Sequence, residues 1–159
     1  MQAKEGVLDR LNAVLTVELT AINQYFLQAE ICRNWGYEPL AHIFSLSSFA
    51  EMKDTQELIA HILYLEGMPN MMRMNQVLVG ETVLEHLELD LELERTAIET
   101  LREAITHCNT VGDYTTRKMF EGMIADEESH LDFIEAQLEA IRQVGLELYC
   151  AQQIKKEGD

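Results

Sequence analysis

The sequence predicts an all-α fold: a four-helix bundle of two helical hairpins, joined by one long crossover and followed by a short fifth helix. Three observations carry this prediction. Apolar residues recur in steps of three and four through four long stretches, the spacing of a buried helical stripe. Almost half of the 159 residues are apolar, with only two prolines and eight glycines, a composition that favours helix and a globular chain. One connection, residues 70–82, is too long for a hairpin turn between antiparallel helices and long enough to run the length of a bundle. The length suits a single domain, 1–159, with the bundle over about 4–144.

The first helix is expected over about Lys4–Asn34, with a stripe of Val7/Leu8, Leu11, Val14/Leu15, Glu18, Ile22, Tyr25/Phe26 and Ala29. "NWGYEP" (34–39) ends it with glycine and proline, and Pro39 suits the first turn of the next helix, where its missing N–H does no harm. The second helix, about Pro39–Leu65, has the stripe Leu40, Ile43/Phe44, Ser47, Glu51, Asp54, Leu58 and His61/Ile62, and stops at "EGMPN" (66–70). The third, about Thr82–Asn109, carries Leu84, Leu87, Leu91, Glu94, Ile98, Leu101 and Ile105. Gly112 and Asp113 supply a break and a cap for the fourth, about Asp113–Val144, striped by Phe120, Met123, Glu127, His130, Ile134, Leu138 and Ile141. After Gly145, "LELYCAQQI" (146–154) has the length of the short fifth helix.

Each stripe contains polar letters at core positions: Glu18, then Glu51 and Asp54, then Glu94, then Glu127 and His130. Glu51 and Asp54 share a helix face at i, i+3, and so do Glu127 and His130. Glu51 follows Glu18 by 33 residues, and Glu127 follows Glu94 by the same 33. Each half is thus a hairpin with one lone Glu and one Glu-x-x-ligand pair, and antiparallel packing of the halves brings all six groups together near mid-bundle. Buried carboxylates without partners cost several kcal/mol each or stay protonated. A pair of divalent cations would neutralise them, and carboxylates with imidazole suit iron or manganese.

The formal net charge of −16 suits a protein that collects cations and excludes a nucleic-acid binder, which needs a basic face. No apolar run approaches the ~20 residues of a membrane span, and "MQAKEGVLDR" has no secretory core, so a cytoplasmic location is expected. Cys32, Cys108 and Cys150 are odd in number and far apart, and read as reduced, buried thiols. His42, His61, His86 and His107 read as surface or satisfied-core residues, and Met68, Met71, Met72 and Met74 as packing residues of the core or a subunit contact.

The segments "ELTAINQYFL" (18–27), "EMKDTQELIAHILYLEGMPN" (51–70) and "ADEESHLDFIE" (125–135) resemble the bacterioferritin family, and the resemblance covers nearly the whole chain. It implies a ferritin-like bundle whose subunits form a hollow 24-mer built from two-fold dimers and store ferric mineral. It also implies a di-iron ferroxidase centre within each subunit, haem b between paired subunits, and a small ferredoxin as electron donor. Glu18, Glu51, Glu94, Glu127 and His130 match the family's metal ligands, with Glu51 and Glu127 as the bridging carboxylates. Met52 matches the haem ligand: it lies ~100° round the helix from Glu51, so it can face a neighbouring subunit while Glu51 faces the bundle. Tyr25, two turns after Glu18, is a candidate hydrogen-bonding partner of the centre or an electron donor.

One position departs from the family: Asp54 stands where its members have histidine. Two readings follow. An aspartate oxygen can reach the metal if the usual histidine binds through its nearer nitrogen. Alternatively, the added anion and lost nitrogen impair Fe(II) binding or cycling. The second expected function is accordingly a haem-carrying subunit with an impaired ferroxidase centre, active in storage and electron transfer and co-assembled with a competent second subunit type. A third class, a di-iron oxidoreductase acting on an organic substrate, has no pocket signal in the sequence.

Overall fold

A computed structural model describes residues 1–154 and contains α1 (Val7–Asn34), α2 (Glu38–Tyr64), α3 (Val83–Val111), α4 (Tyr114–Val144) and α5 (Leu146–Ala151). No strand occurs among the described residues. The predicted all-α bundle with its long crossover is therefore observed. The fifth helix is shorter than expected: after Ala151 the chain turns, and 155–159 lie outside the described residues. The first helix begins at Val7 rather than Lys4, because Gly6 adopts a left-handed conformation (φ 73°) that ends the helix on its N-terminal side.

The helix boundaries follow from local chemistry. Pro39 sits in the first turn of α2. The Thr82 side chain caps α3 by accepting from the Glu85 N–H at 3.1 Å, and Asp113 Oδ1 caps α4 by accepting from the Thr116 N–H at 3.0 Å. Between these helices Gly112 takes the left-handed conformation (φ 71°) and Asp113 N–H returns to the Cys108 carbonyl at 2.8 Å, so a two-residue connection suffices to reverse the chain.

The crossover, residues 65–82, has no secondary structure of its own through most of its length, so its backbone N–H groups need other partners. Helix α1 supplies them from a polar row. Asn12 Oδ1 accepts from Asn70 N–H at 2.7 Å, Thr20 Oγ1 from Asn75 at 2.9 Å and Gln24 Oε1 from Leu78 at 3.2 Å. This explains why α1 is buried on every side from Val14 to Ala21, although its sequence shows one apolar stripe.

The apolar core divides in two. Leu11, Leu15, Leu58, Ile62, Leu101, Phe120 and Met123 fill one end, and Tyr25, Phe44, Leu87, Ile134, Ile141 and Tyr149 fill the other. Helix α5 closes the second end, where Tyr149 OH donates to Gln137 Oε1 at 2.8 Å. The acidic side chains singled out in the sequence form the layer between these two ends. Backbones pack closely between α1 and α2, α3 and α4, and α1 and α3, whereas α2 and α4 stand further apart.

Candidate metal centre

Glu18, Glu51, Glu94 and Glu127 come one from each long helix, and each is about 1% exposed. Asp54 and His130, one turn after Glu51 and Glu127, are half-buried on the α2–α4 seam. Two groups of ligand atoms form, each with all its atoms within 4.8 Å of one another: Glu51, Glu94, Glu127 and His130, and Glu18, Glu51, Asp54 and Glu127. The groups share Glu51 and Glu127. All six residues predicted from the stripes are thus brought together, three in each half of the chain. Asp54 is within reach of the second group, as an aspartate replacing a histidine bound through its nearer nitrogen would be.

The layer is short of partners. Both oxygens of Glu51 and of Glu127, one oxygen of Glu18 and His130 Nδ1 have no hydrogen-bond partner although they are buried. His130 Nδ1 lies 3.2 Å from Glu51, 3.4 Å from Glu127 and 3.9 Å from Glu94. Buried polar atoms are nearly always paired, so such a concentration marks a place for an ion. Protonation spreads accordingly. Burial, then Glu51 and Glu127, push Glu18 well above the ordinary carboxylate range. Burial and the adjoining Glu127 push Glu94 up to about 11. Burial also raises Glu127, but the adjoining Glu94, His130 and Glu18 outweigh it and hold Glu127 low. Contacts with Glu127 and Glu51 raise His130 to about 11. Asp54 rises to about 7, through burial and through Glu51, Glu127, Asp126 and Glu57. Without metal, protons supply the missing positive charge. The donor set of five carboxylates and one imidazole fits a pair of hard or borderline divalent cations.

Tyr25 is fully buried and its hydroxyl donates to Glu94 Oε1. Burial and the adjoining Glu94 raise it well above its ordinary value, so it remains a neutral donor. It therefore holds the orientation of one carboxylate of the cluster. Met52 lies ~100° round α2 from Glu51, about half exposed, with Phe49 one turn before it and also exposed.

The other histidines lie outside the layer, and only the buried His86 departs from the expectation, its Nδ1 having no partner. His42 is exposed; His61 Nε2 meets Thr116 Oγ1 at 2.8 Å, His86 Nε2 the Gly80 carbonyl at 2.9 Å and His107 Nε2 the Glu5 carbonyl at 2.8 Å. The three cysteines are free and buried. Met68, Met71, Met72 and Met74 are all exposed, so none packs in the core of its own chain. No helix among the described residues is long and apolar enough to cross a membrane.

Asp90 is missing from the sequence reading. It lies one turn before Glu94, fully buried, and its Oδ1 accepts from Gln24 Nε2 at 2.9 Å and Gln28 Nε2 at 2.7 Å. The stripe through Leu91 hid it, yet Gln24 and Gln28 at i, i+4 on α1 were its signal. Burial raises Asp90 to about 7 against the hydrogen bonds from the two glutamines. The folded chain therefore holds a proton here that the unfolded chain releases near pH ~4. The stability this proton confers is full below pH ~4 and lost as the pH rises towards about 7. Asp90→Asn removes that loss and keeps the acceptor. The metal-free variant should match its parent at acid pH and exceed it at pH 8 by an amount on the order of a few kcal/mol. Thermal midpoints at several pH values check this, and a parent that stays the more stable at pH 8 would contradict it.

Comparison with known proteins agrees with this architecture. A family model described as a ferritin-like domain matches residues 8–144. A protein named bacterioferritin from Mycolicibacterium paratuberculosis is 42% identical over 98% of both chains. One of the same name from Streptomyces coelicolor is 41% identical over 98% of this chain and 93% of its own. Another from Brucella melitensis is 38% identical over 94% and 92%. With a four-helix bundle, its long crossover and likeness along nearly the whole length, the chain belongs to the bacterioferritin family of ferritin-like proteins.

Proposed function

We propose that this protein stores iron: it oxidises Fe(II) at a paired site within the bundle and deposits Fe(III) as mineral inside a closed 24-subunit assembly of two-fold dimers. The observation that carries the reading is the pair of ligand groups sharing Glu51 and Glu127, set among buried oxygens that have no other partner. Two Fe(II) ions are the substrate. One lies among Glu51, Glu94, Glu127 and His130, the other among Glu18, Glu51, Asp54 and Glu127, and the shared carboxylates bridge them. Each Fe(II) gives one electron, and dioxygen takes two electrons and two protons and leaves as hydrogen peroxide. Burial of the carboxylates favours the more highly charged Fe(III), because unscreened negative charge stabilises it most. Tyr25 keeps Glu94 in place through its hydroxyl. The protons held by Glu18, Glu94 and His130 leave when iron enters.

The residues also fit haem b at the dimer interface. Met52 presents a thioether beside the exposed Phe49, so a soft donor and an apolar surface lie together away from the carboxylates. Met52 from each of two paired subunits would hold the haem iron, which supplies one-electron transfer for iron release. A small ferredoxin is the proposed donor and the cytoplasm the proposed location.

A second reading rests on Asp54. A hard anion in place of imidazole favours Fe(III) and slows its reduction or replacement. The chain then serves as a haem-carrying subunit with an impaired centre, beside a competent second subunit type. Stopped-flow Fe(II) oxidation by the purified homopolymer, with its Asp54→His variant at equal iron loading, separates the two. The expected outcome is a low but measurable parent turnover, raised several-fold by histidine. A parent with no oxidation above the buffer rate supports the second reading. A slower histidine variant overturns the view of Asp54 as the weak ligand.

A further inference from the structure

The seam between α2 and α4 has two openings of opposite character, one on each side of the carboxylate layer. The first is a cavity of about 420 Å³ whose wall includes Asp54, Glu57 and Asp126, with Lys53 and Lys118 beside them. The second, about 270 Å³, is an apolar groove open to solvent: Ile43, Phe44, Leu46, Ala50, Leu87 and Phe133 form most of its wall, and Leu46, Ala50 and Phe133 are exposed. Tyr25 and His130 also line it. These two side chains are in contact with the layer itself, through Tyr25 OH on Glu94 and His130 Nδ1 at 3.2 Å from Glu51. The apolar cavity therefore reaches the layer through Tyr25 and His130, and no carboxylate lines it.

The two reactants of the proposed oxidation differ in the same way. Fe(II) is strongly hydrated and exchanges water for carboxylate oxygen, which the first opening supplies. Dioxygen is small, neutral and apolar, and partitions into apolar space from which ordered water gains little. Hydrogen peroxide donates and accepts hydrogen bonds and gains nothing there. We infer that the apolar cavity lined by Ile43, Leu46, Ala50 and Phe133 is the dioxygen site of the centre, and that cations enter from the Asp54 side. The inference rests on the ferroxidase reading. In the balanced step two Fe(II) each lose one electron, and the dioxygen held in the cavity gains two electrons and two protons to leave as hydrogen peroxide.

The test uses the assembled protein and two variants that fill the cavity from residues outside the ligand set, Ser47→Leu and Ala50→Leu. Xenon, an apolar atom that diffracts strongly, is the probe. Crystals under xenon pressure should show it in the parent cavity and in neither variant. Initial Fe(II) oxidation by dioxygen should fall several-fold in the variants. Oxidation by added hydrogen peroxide, and the number of Co(II) ions bound, should stay at parent values. An empty parent cavity under xenon, a filled variant at the parent rate with dioxygen, or equal slowing with both oxidants each overturns the inference. So does an organic molecule released from the purified parent on denaturation, since the cavity would then belong to an organic substrate. A parent that binds no Co(II) pair or oxidises no Fe(II) removes the ferroxidase reading instead, and the dioxygen site with it.

Discussion

Glu94→Ala should abolish fast Fe(II) oxidation and remove one of the two metal ions, because Glu94 belongs to one ligand group only and no neighbouring carboxylate can replace it. Loss of even an outer-shell partner commonly lowers metal affinity or activity by about 10–100-fold, and loss of a ligand at a site with one imidazole should exceed that. From the sequence alone, removing one carboxylate from a repelling cluster would raise the stability of the metal-free protein. Burial keeps Glu94 protonated, its pKa raised to about 11, so at neutral pH the folded metal-free chain holds a proton that the unfolded chain releases, and a neutral side chain here removes that cost. The structure adds a second, opposing effect. In Glu94→Ala the fully buried Tyr25 hydroxyl loses its acceptor, at a cost of about 1–3 kcal/mol. At neutral pH metal-free Glu94→Gln, which keeps an acceptor for Tyr25 and needs no proton, should therefore melt above its parent and above Glu94→Ala. Stopped-flow oxidation and thermal melts of the three proteins check both statements. Parent-rate oxidation in Glu94→Ala would place the centre elsewhere.

Met52→Leu should eliminate haem while leaving the assembly intact. Leucine keeps the volume and apolar character of this exposed position and removes only the sulfur donor. The reduced parent should show a b-type absorption spectrum, the variant none, and both should elute as the same large particle. Iron oxidation should be unaffected, because Met52 points ~100° away from Glu51 round α2 and belongs to neither ligand group. Unchanged haem content in the variant would defeat the assignment of Met52.

The legible parts of this chain were those where one face of a helix decides everything. The four long helices follow from three- and four-residue steps, and the six candidate ligands were visible as polar interruptions of those steps with a matched 33-residue offset. Asp90 was not visible, because Leu91 beside it completes the stripe equally well and only the partners Gln24 and Gln28 on another helix show which one is inside. The all-round burial of α1 was equally hidden. It depends on an extended crossover whose backbone is held by Asn12, Thr20 and Gln24, polar letters that read locally as a solvated face. The apolar cavity on the α2–α4 seam could not be read either, since it arises from the wider separation of two helices and not from any residue in them.

A Co(II) titration of the metal-free assembly, followed by absorption and by proton release, tests the central claim most directly: that the buried layer is a two-metal site. The two ligand groups predict saturation at two ions per subunit. The protonated Glu18, Glu94 and His130 predict that roughly two or three protons leave as the pair fills. Glu127→Ala, which removes a carboxylate common to both groups, should bind neither ion. Saturation at no ions per subunit, or two ions retained in the Glu127→Ala protein, would contradict the account.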